Sequence, residues 1–267
     1  MFHTNTKNGL TILTADTLSG VCHGFSTRPG GVSPAPWDSL NLGVGRGDEI
    51  ARVQENYRRF CAALGTDVNR VVLSKQIHED VVRHVTEADA GKGLWRDRDY
   101  PSVDGMVTDV LHLPLVVFSA DCNVVLLHDP VRKAIGACHA GWRGTALGIA
   151  AKTARRMAEV YGTDPADLHC AIGPGISRCC FETRADVPEA VRAALGDAAA
   201  DFIDDHGDGS FHVDLKGINR WWLRSVGVPP EQIEVCQACT ACDLNTFFSH
   251  RRMGTARGAM AAIIELT

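Results

Sequence analysis

The sequence has no apolar run approaching the ~18 residues that a membrane span requires, so no membrane association is expected. It also has no long basic run, and its net charge of −5 disfavours nucleic acid as a partner. The first residues, MFHTNTKNGLTILTAD, lack a basic segment followed by an apolar core. No signal peptide is therefore expected, and the chain reads as cytoplasmic. No GxGxxG follows a strand-like run, so a dinucleotide site has no support. A P-loop and a GxSxG elbow are likewise missing, as are internal repeats, low-complexity tracts and any convincing linker.

What the chain does have is enough length to bury a full core, with 267 residues and 45% hydrophobic content. Apolar runs of strand length fall at residues 11–13, 21–25, 71–74, 81–85, 106–108, 115–118, 168–172, 233–235 and 259–266. Helical spacing appears over 49–64, where Ile50, Val53, Tyr57, Phe60 and Leu64 recur, Asp48 is placed to cap and Gly65 to stop. Further helices are expected over 146–161, 184–195 and 215–226. The polar stretch DAGKGLWRDRDYPS at 89–102 reads as a mobile surface loop. Strands and helices are interspersed, and many connections are hairpins or long loops. That predicts an α+β fold, one domain over 1–267 with mixed β-sheets and helices packed on the outside.

The segment 119–145, SADCNVVLLHDPVRKAIGACHAGWRGT, organises the rest. Runs 124–128 and 133–137 flank a turn at Asp129, Pro130 and Arg132, which predicts a β-hairpin. A turn centred near Pro130–Val131 sets Leu127 against about Lys133 to Ile135 and brings Cys122 opposite His139. Directly opposed residues have Cβ atoms ~5 Å apart. A thiolate and an imidazole so placed can share a metal ion or act as nucleophile and base. A buried thiol beside a core histidine in hydrogen-bonded contact is the alternative. After His139 a glycine-rich turn opens a helix, an arrangement whose free N–H groups suit an anion.

Ten cysteines without a secretory signal point to reduced thiols or metal ligands. Cys236, Cys239 and Cys242 form C-x2-C-x2-C with no suitably placed fourth cysteine, so no iron–sulfur cluster is expected. The adjacent Cys179 and Cys180 read as packed thiols, poorly placed to ligate one metal together. Arg28 stands on a stiff Pro-Gly-Gly loop, and FFSHRR at 247–252 reads as a pocket wall or as a strand with solvated charges. His78, between two strand-like runs, reads by itself as structural.

Taken together, HGFSTRPGGVS from His23, NLG from Asn41, KQIH ending at His78, SADC ending at Cys122, HAGWRGT from His139, IGPGISRCCFE from Ile172 and FFSHRR from Phe247 resemble the YfiH/laccase-domain family. Its members have been called polyphenol oxidases and later purine nucleoside phosphorylases. The resemblance covers nearly the whole chain. It implies a zinc held by His78, Cys122 and His139, with an open fourth position. It also implies phosphorolysis of adenosine, inosine and methylthioadenosine, and adenosine deamination. Copper is possible in the family, but a multicopper oxidase needs clustered histidines, and the eleven here are scattered with no His-x-His pair. The chain departs from the family at Glu79, where Gly is common, and at Asn123-Val124, where a small residue or Pro and then Pro are common.

The expected partners are therefore purine nucleosides and phosphate, with the protein a monomer or homodimer. His78, Asp121, Cys122 and His139 are the catalytic candidates, Asp121 being the nearest acid for proton transfer. Arg28 and Arg143 are the expected phosphate ligands, aided by N–H groups near Gly144, and Asn41 joins them as a substrate contact. Competing readings are a zinc-dependent amide hydrolase acting on cell-wall precursors, a Cys122/His139 nucleophile enzyme, and a non-catalytic protein with structural zinc.

Overall fold

The computed structural model describes all 267 residues. The N-terminal part holds β1 (Phe2–Lys7), β2 (Leu10–Ala15), β3 (Cys22–Ser26), α1 (Ile50–Leu64), β4 (Val72–Leu73) and β5 (Val82–His84). The middle holds β6 (Gly105–Thr108), β7 (Leu115–Ser119), β8 (Asn123–Asp129), β9 (Ala134–Ala140), α2 (Trp142–Ala146), α3 (Ile149–Tyr161) and β10 (His169–Ile172). The remainder is β11 (Glu182–Thr183), α4 (Asp186–Leu195), β12 (Ile203–Asp205), β13 (Phe211–Val213), α5 (Leu215–Ser225), β14 (Ile233–Val235), α6 (His250–Met253) and β15 (Met260–Glu265).

Two six-stranded sheets, ordered β1-β2-β3-β15-β7-β4 and β14-β10-β8-β9-β6-β5, face one another. The largest apolar cluster lies between them, with Phe25, Val117 and Ile264 from the first sheet against Val124, Leu126 and Ala137 from the second. The outer face of the first sheet carries α1, whose Val53, Tyr57 and Phe60 pack on Ile12, Val116 and Ile263. The outer face of the second carries α3 and α5, through Ile149, Ala154, Met157 and Leu223. Both sheets are mixed: β4–β7, β5–β6 and β10–β14 run parallel, and the other pairs antiparallel. This is the expected α+β arrangement with mixed sheets and outer helices.

Five local expectations need correction. The β8–β9 hairpin is real, but Asp129 pairs with Ala134, so Leu127 faces Gly136 and His139 faces Val124. The turn is longer than predicted because Asp129 Oδ1 accepts the N–H groups of Val131 and Arg132, and Lys133 adopts a φ of 52°. Cys122 is thus one residue before β8, beyond the end of the ladder. Asp48 does not cap α1 with its side chain in the usual way: its Oδ2 accepts from Ser33 and Asn41, and Glu49 takes the cap position. Ile50, expected on the buried face, is exposed. The predicted helix 146–161 is broken at Gly148, whose φ of 74° separates α2 from α3.

The fifth correction concerns 89–102, which is a packed strap. Trp95 donates to the Val68 carbonyl and Tyr100 to that of Leu73. Buried Asp89 accepts from Arg83 and from Lys92, which also reaches Asp99. The strap is polar because its charges pair with one another. Strand β1 and the small sheet β11-β13-β12 escape sequence reading because they are either polar on both faces or only two to three residues long.

Candidate metal centre and cavity

His139 sits near the end of β9, and its backbone N–H donates to the Asp104 carbonyl at 2.8 Å. Asp104, immediately before β6, is fully buried and takes the His139 Nδ1–H at 2.8 Å. That bond leaves His139 Nε2 as the free ligand atom. The same carboxylate accepts the N–H groups of Ile77, His78 and Glu79, at 3.0, 3.1 and 3.1 Å. It thereby holds the turn in which His78 adopts φ 67°, a left-handed conformation that few side chains tolerate but His is enriched in. One buried carboxylate therefore positions two histidines from separate parts of the chain. Sequence reading missed it. Its only signal was an Asp at the start of a strand.

Cys122 follows Asp121, whose φ of 85° turns the chain into β8. Its Sγ lies 3.9 Å from His78 Nε2, and the ligand atoms of His78, Cys122 and His139 all lie within 4.8 Å of one another. The two imidazoles meet edge to face, 4.9 Å between centroids. Zinc–sulfur and zinc–nitrogen bonds of about 2.3 and 2.0–2.1 Å fit inside these separations. Gly141 matters for the same reason. A Cβ there would come 2.8 Å from His78 and 3.1 Å from Cys122. The space between the three side chains is open only because this residue is glycine. One thiolate with two imidazoles is a donor set used by both zinc and copper.

Without a metal, Cys122 and His139 form a thiolate–imidazolium pair, and a metal ion would displace the imidazolium proton. Burial alone would push the Cys122 thiol up, but the charge and hydrogen bond of His139, then those of His78, bring it down to about 6. Burial would lower His139, and the Cys122 thiolate with the Asp104 carboxylate raises it to about 9 instead. The thiolate form that metal binding requires is thus stabilised by the site itself.

The three ligands open onto a cavity of about 350 Å³. Phe118, Trp142, Ile176, Phe181 and Leu215 supply apolar lining, and Arg46, Arg143, Arg251 and Arg257 supply positive charge. Arg143 stacks on Trp142, 4.2 Å from the ring centroid, and makes no ion pair. Arg257 is buried beside Arg46. Desolvation first, then the Arg46 charge, lowers it to about 10, and its Nε has no partner. Two adjacent guanidiniums with an unused donor suit an anion. Arg46 and Arg257 carried no sequence signal. Arg251 and His250 lie in the FFSHRR segment, whose reading as a pocket wall matches their place on the cavity.

Several expected substrate contacts are occupied elsewhere. Arg28 lies off the cavity, paired with Asp38 at 2.6 Å and bonded to the carbonyls of Asp38 and Leu244. Its guanidinium is consumed in holding loops together. Asn41 is fully buried, receives the N–H groups of Gly43 and Ala259, and donates to Asp48. Gly144 is not on the cavity wall, and α2 is only five residues long, too short for the helix-end charge that the expected anion contact needed. Asp121 does line the cavity, and both of its carboxylate oxygens are engaged, Oδ1 by Thr240 and Oδ2 by Ser249 and the Arg251 N–H. It anchors the 240–251 segment.

A family model described as multi-copper polyphenol oxidoreductase laccase matches residues 22–267. The chain is 35% identical over 252 residues to a Bacillus subtilis protein named purine nucleoside phosphorylase YlmD, covering 92% of this chain and 88% of that one. It is 37% identical over 263 residues to a Deinococcus radiodurans protein named purine nucleoside phosphorylase, covering 98% and 95%. The crystal structure of Bacillus licheniformis YfiH superposes with a TM-score of 0.95 at 36% identity, covering 100% of this chain and 99% of that one. YlmD from Geobacillus stearothermophilus does so with 0.92 at 32% identity, covering 100% and 99%. With the KQIH, SADC, HAGWRGT, IGPGISRCCFE and FFSHRR segments each contributing to one cavity and the family match running over residues 22–267, the chain belongs to the multi-copper polyphenol oxidoreductase laccase family, the YfiH/YlmD group.

Proposed function

We propose that the chain, working as one unit over 1–267, is a zinc-dependent purine nucleoside phosphorylase acting on adenosine, inosine and methylthioadenosine, with adenosine deaminase activity. The observation that carries this reading is the opening of a ligand set of one cysteine and two histidines onto an arginine-lined cavity with apolar walls. The names of the relatives support it. A zinc ion in an open three-ligand site supplies Lewis-acid polarisation of an oxygen ligand.

The residues of the chain divide the remaining work. Asp104 orients His139 and, through the 77–79 N–H groups, His78. Phe118, Phe181 and Trp142 offer apolar area for a purine. Arg143, Arg46 and Arg257 hold phosphate and oppose the charge on its oxygens as it approaches the ribose carbon. His250 lines the cavity and donates from Nδ1 to the Gly254 carbonyl at 3.0 Å, which leaves Nε2 available for proton transfer.

The test is an assay of adenosine with and without phosphate on the metal-replete protein, resolving adenine, inosine and hypoxanthine by chromatography. Phosphate-dependent adenine and phosphate-independent inosine are expected. Absence of both products sinks the proposal. A second reading draws on the Cys122–His139–Asp104 alignment, which is also that of a cysteine nucleophile with its base and orienting acid. It predicts activity that survives metal removal and is abolished by alkylation of Cys122.

A further inference from the structure

Outside the cavity the fold assembles a second cluster from parts of the sequence that looked unrelated. Cys179 and Cys180 lie in the segment after β10. Cys239 and Cys242 lie in the segment after β14. All four Sγ atoms are within 4.8 Å of one another. Cys180 and Cys242 are 3.4 Å apart, Cys179 and Cys242 3.7 Å, and Cys179 and Cys180 3.9 Å. A tetrahedral zinc tetrathiolate with bonds of about 2.3 Å has sulfur–sulfur edges of about 3.8 Å. The observed spacings bracket that edge. A cubane iron–sulfur cluster spreads its cysteines around a larger core, and a disulfide needs two sulfurs at about 2.05 Å. Both fit these spacings less well.

We propose that Cys179, Cys180, Cys239 and Cys242 form a structural site for a thiophilic divalent cation, zinc in the first instance. This corrects two expectations from sequence. The adjacent cysteines do converge with others, and the C-x2-C-x2-C run supplies only Cys239 and Cys242, the other two ligands coming from about sixty residues upstream. Cys236 is the odd member, buried in the core between the sheets.

The surroundings suit the dianion that four thiolates make around a divalent ion. The Ser177 N–H donates to Cys239 Sγ at 3.3 Å, and the Arg252 guanidinium reaches Cys180 Sγ at 3.6 Å. Lys216 is buried nearby and clamps the same two segments, donating to Ser177 Oγ and to the carbonyls of Cys236 and Ala238. The local apolar cluster is small, Ile176, Cys239 and Ala241 with Cys180 and Phe181 packed against them. A closed four-ligand site contributes folding energy directly, its thiols releasing their protons to solvent as the cation binds. Here that energy joins the loop bearing Ile176 and Phe181 to the segment that Asp121 anchors, two walls of the cavity.

The experiment uses the full chain in two forms, wild type and Cys179→Ser/Cys242→Ser, with Cys122→Ala as the reference for the other site. Metal content, the cobalt(II) spectrum and alkylation by iodoacetamide are measured. The wild type is expected to hold one zinc more per chain than the double variant and to show the absorption of a tetrathiolate cobalt site. Cys122→Ala should keep both properties. Exposed Cys179 and Cys242 should resist iodoacetamide until the zinc is chelated. The proposal is overturned if cobalt gives no tetrathiolate spectrum and Cys179 and Cys242 alkylate equally fast with and without zinc. It is equally overturned if mass spectrometry of the unreduced, metal-treated protein finds a disulfide among the four. The wild-type measurements decide the matter even if the double variant does not fold.

Discussion

At the scale of single residues the site depends on Asp104. Its carboxylate touches one histidine and fixes the turn carrying another, so its loss should be felt at the metal before it is felt in the fold. Asp104→Asn keeps the shape but cannot accept all four N–H donors. Loss of such an outer partner typically costs about 10–100-fold in metal affinity, which competition against a calibrated chelator will measure. The acid side of the stability curve gives an independent check. Burial would raise this carboxyl, but the His139 hydrogen bond and charge, with the N–H groups of Ile77 and Glu79, hold it below the ordinary value. A group with a depressed folded pKa contributes stability above its unfolded pKa and loses it as pH falls through the folded value. Melting temperature of the metal-free protein against pH should therefore fall less steeply below the carboxylate range in Asp104→Asn than in the wild type. Parallel curves would show that Asp104 is not the group responsible.

Arg143 makes the second prediction at this scale. It stacks on Trp142 and pairs with no carboxylate, so its charge is not spent on the structure. Arg143→Ala should raise the phosphate KM about 10- to 150-fold, the equivalent of about 1.5–3 kcal/mol for a charge-assisted hydrogen bond. Deamination, which uses water, should fall much less. Arg143→Lys should recover part of the loss, since an ammonium keeps the charge and lacks the fork. Equal loss of both activities with a lower melting temperature would remove Arg143 from the phosphate site.

At the scale of elements, the β9–α2 junction is the narrow point. The chain leaves β9 just after His139, at Ala140, passes Gly141 and enters α2, which α5 holds through Trp222 to the Thr145 carbonyl and Asn219 to the Thr145 hydroxyl. Gly141 has φ −65° and ψ 170°, a conformation open to any residue, so an added methyl meets no backbone strain and is opposed by the crowding of His78 and Cys122, with His139 in contact. Gly141→Ala should therefore abolish or greatly weaken binding at that site while circular dichroism stays native. Equilibrium dialysis of Gly141→Ala in the Cys179→Ser/Cys242→Ser background isolates the effect. Full occupancy there would mean that the ligands can spread without loss.

At the scale of the whole molecule, the two sheets carry the stability, and the candidate metal ligands Cys122 and His139 lie at the ends of the central strands β8 and β9. Leu126 lies on β8 in the middle of the inter-sheet core and is fully buried. Leu126→Ala should cost about 2–5 kcal/mol, and each kcal/mol lowers the melting temperature of a chain near this size by about 2–4 °C. Cys122→Ala should remove the metal at that site with a much smaller shift, because an open three-ligand site is not what folds the chain. Differential scanning calorimetry of the two variants compares them directly. A larger drop for Cys122→Ala would make the metal structural and favour a non-catalytic reading.

The sequence alone determined what local chemistry determines. Apolar runs marked most strands, helical periodicity marked α1, α3, α4 and α5, and a few short motifs carried the family resemblance. These signals are legible because a strand or helix is specified by neighbours two to four residues apart. The joining of Cys122 and His139 was legible from the hairpin even though its register was not, since one aspartate capping its own turn shifted the pairing by two residues. Tertiary structure alone decided the rest. Strand β15 pairs between β3 and β7, and α1 lies across the same sheet. Such long-range packing puts Arg46 and Arg257 on one wall, buries Asp104 under two histidines, and folds Cys179-Cys180 against Cys239 and Cys242. It also takes Arg28 and Asn41 away from any ligand, because their donors and acceptors are needed to close the loops around them. A side chain's partners across the fold are set by which surfaces bury one another, and no spacing along the chain records that.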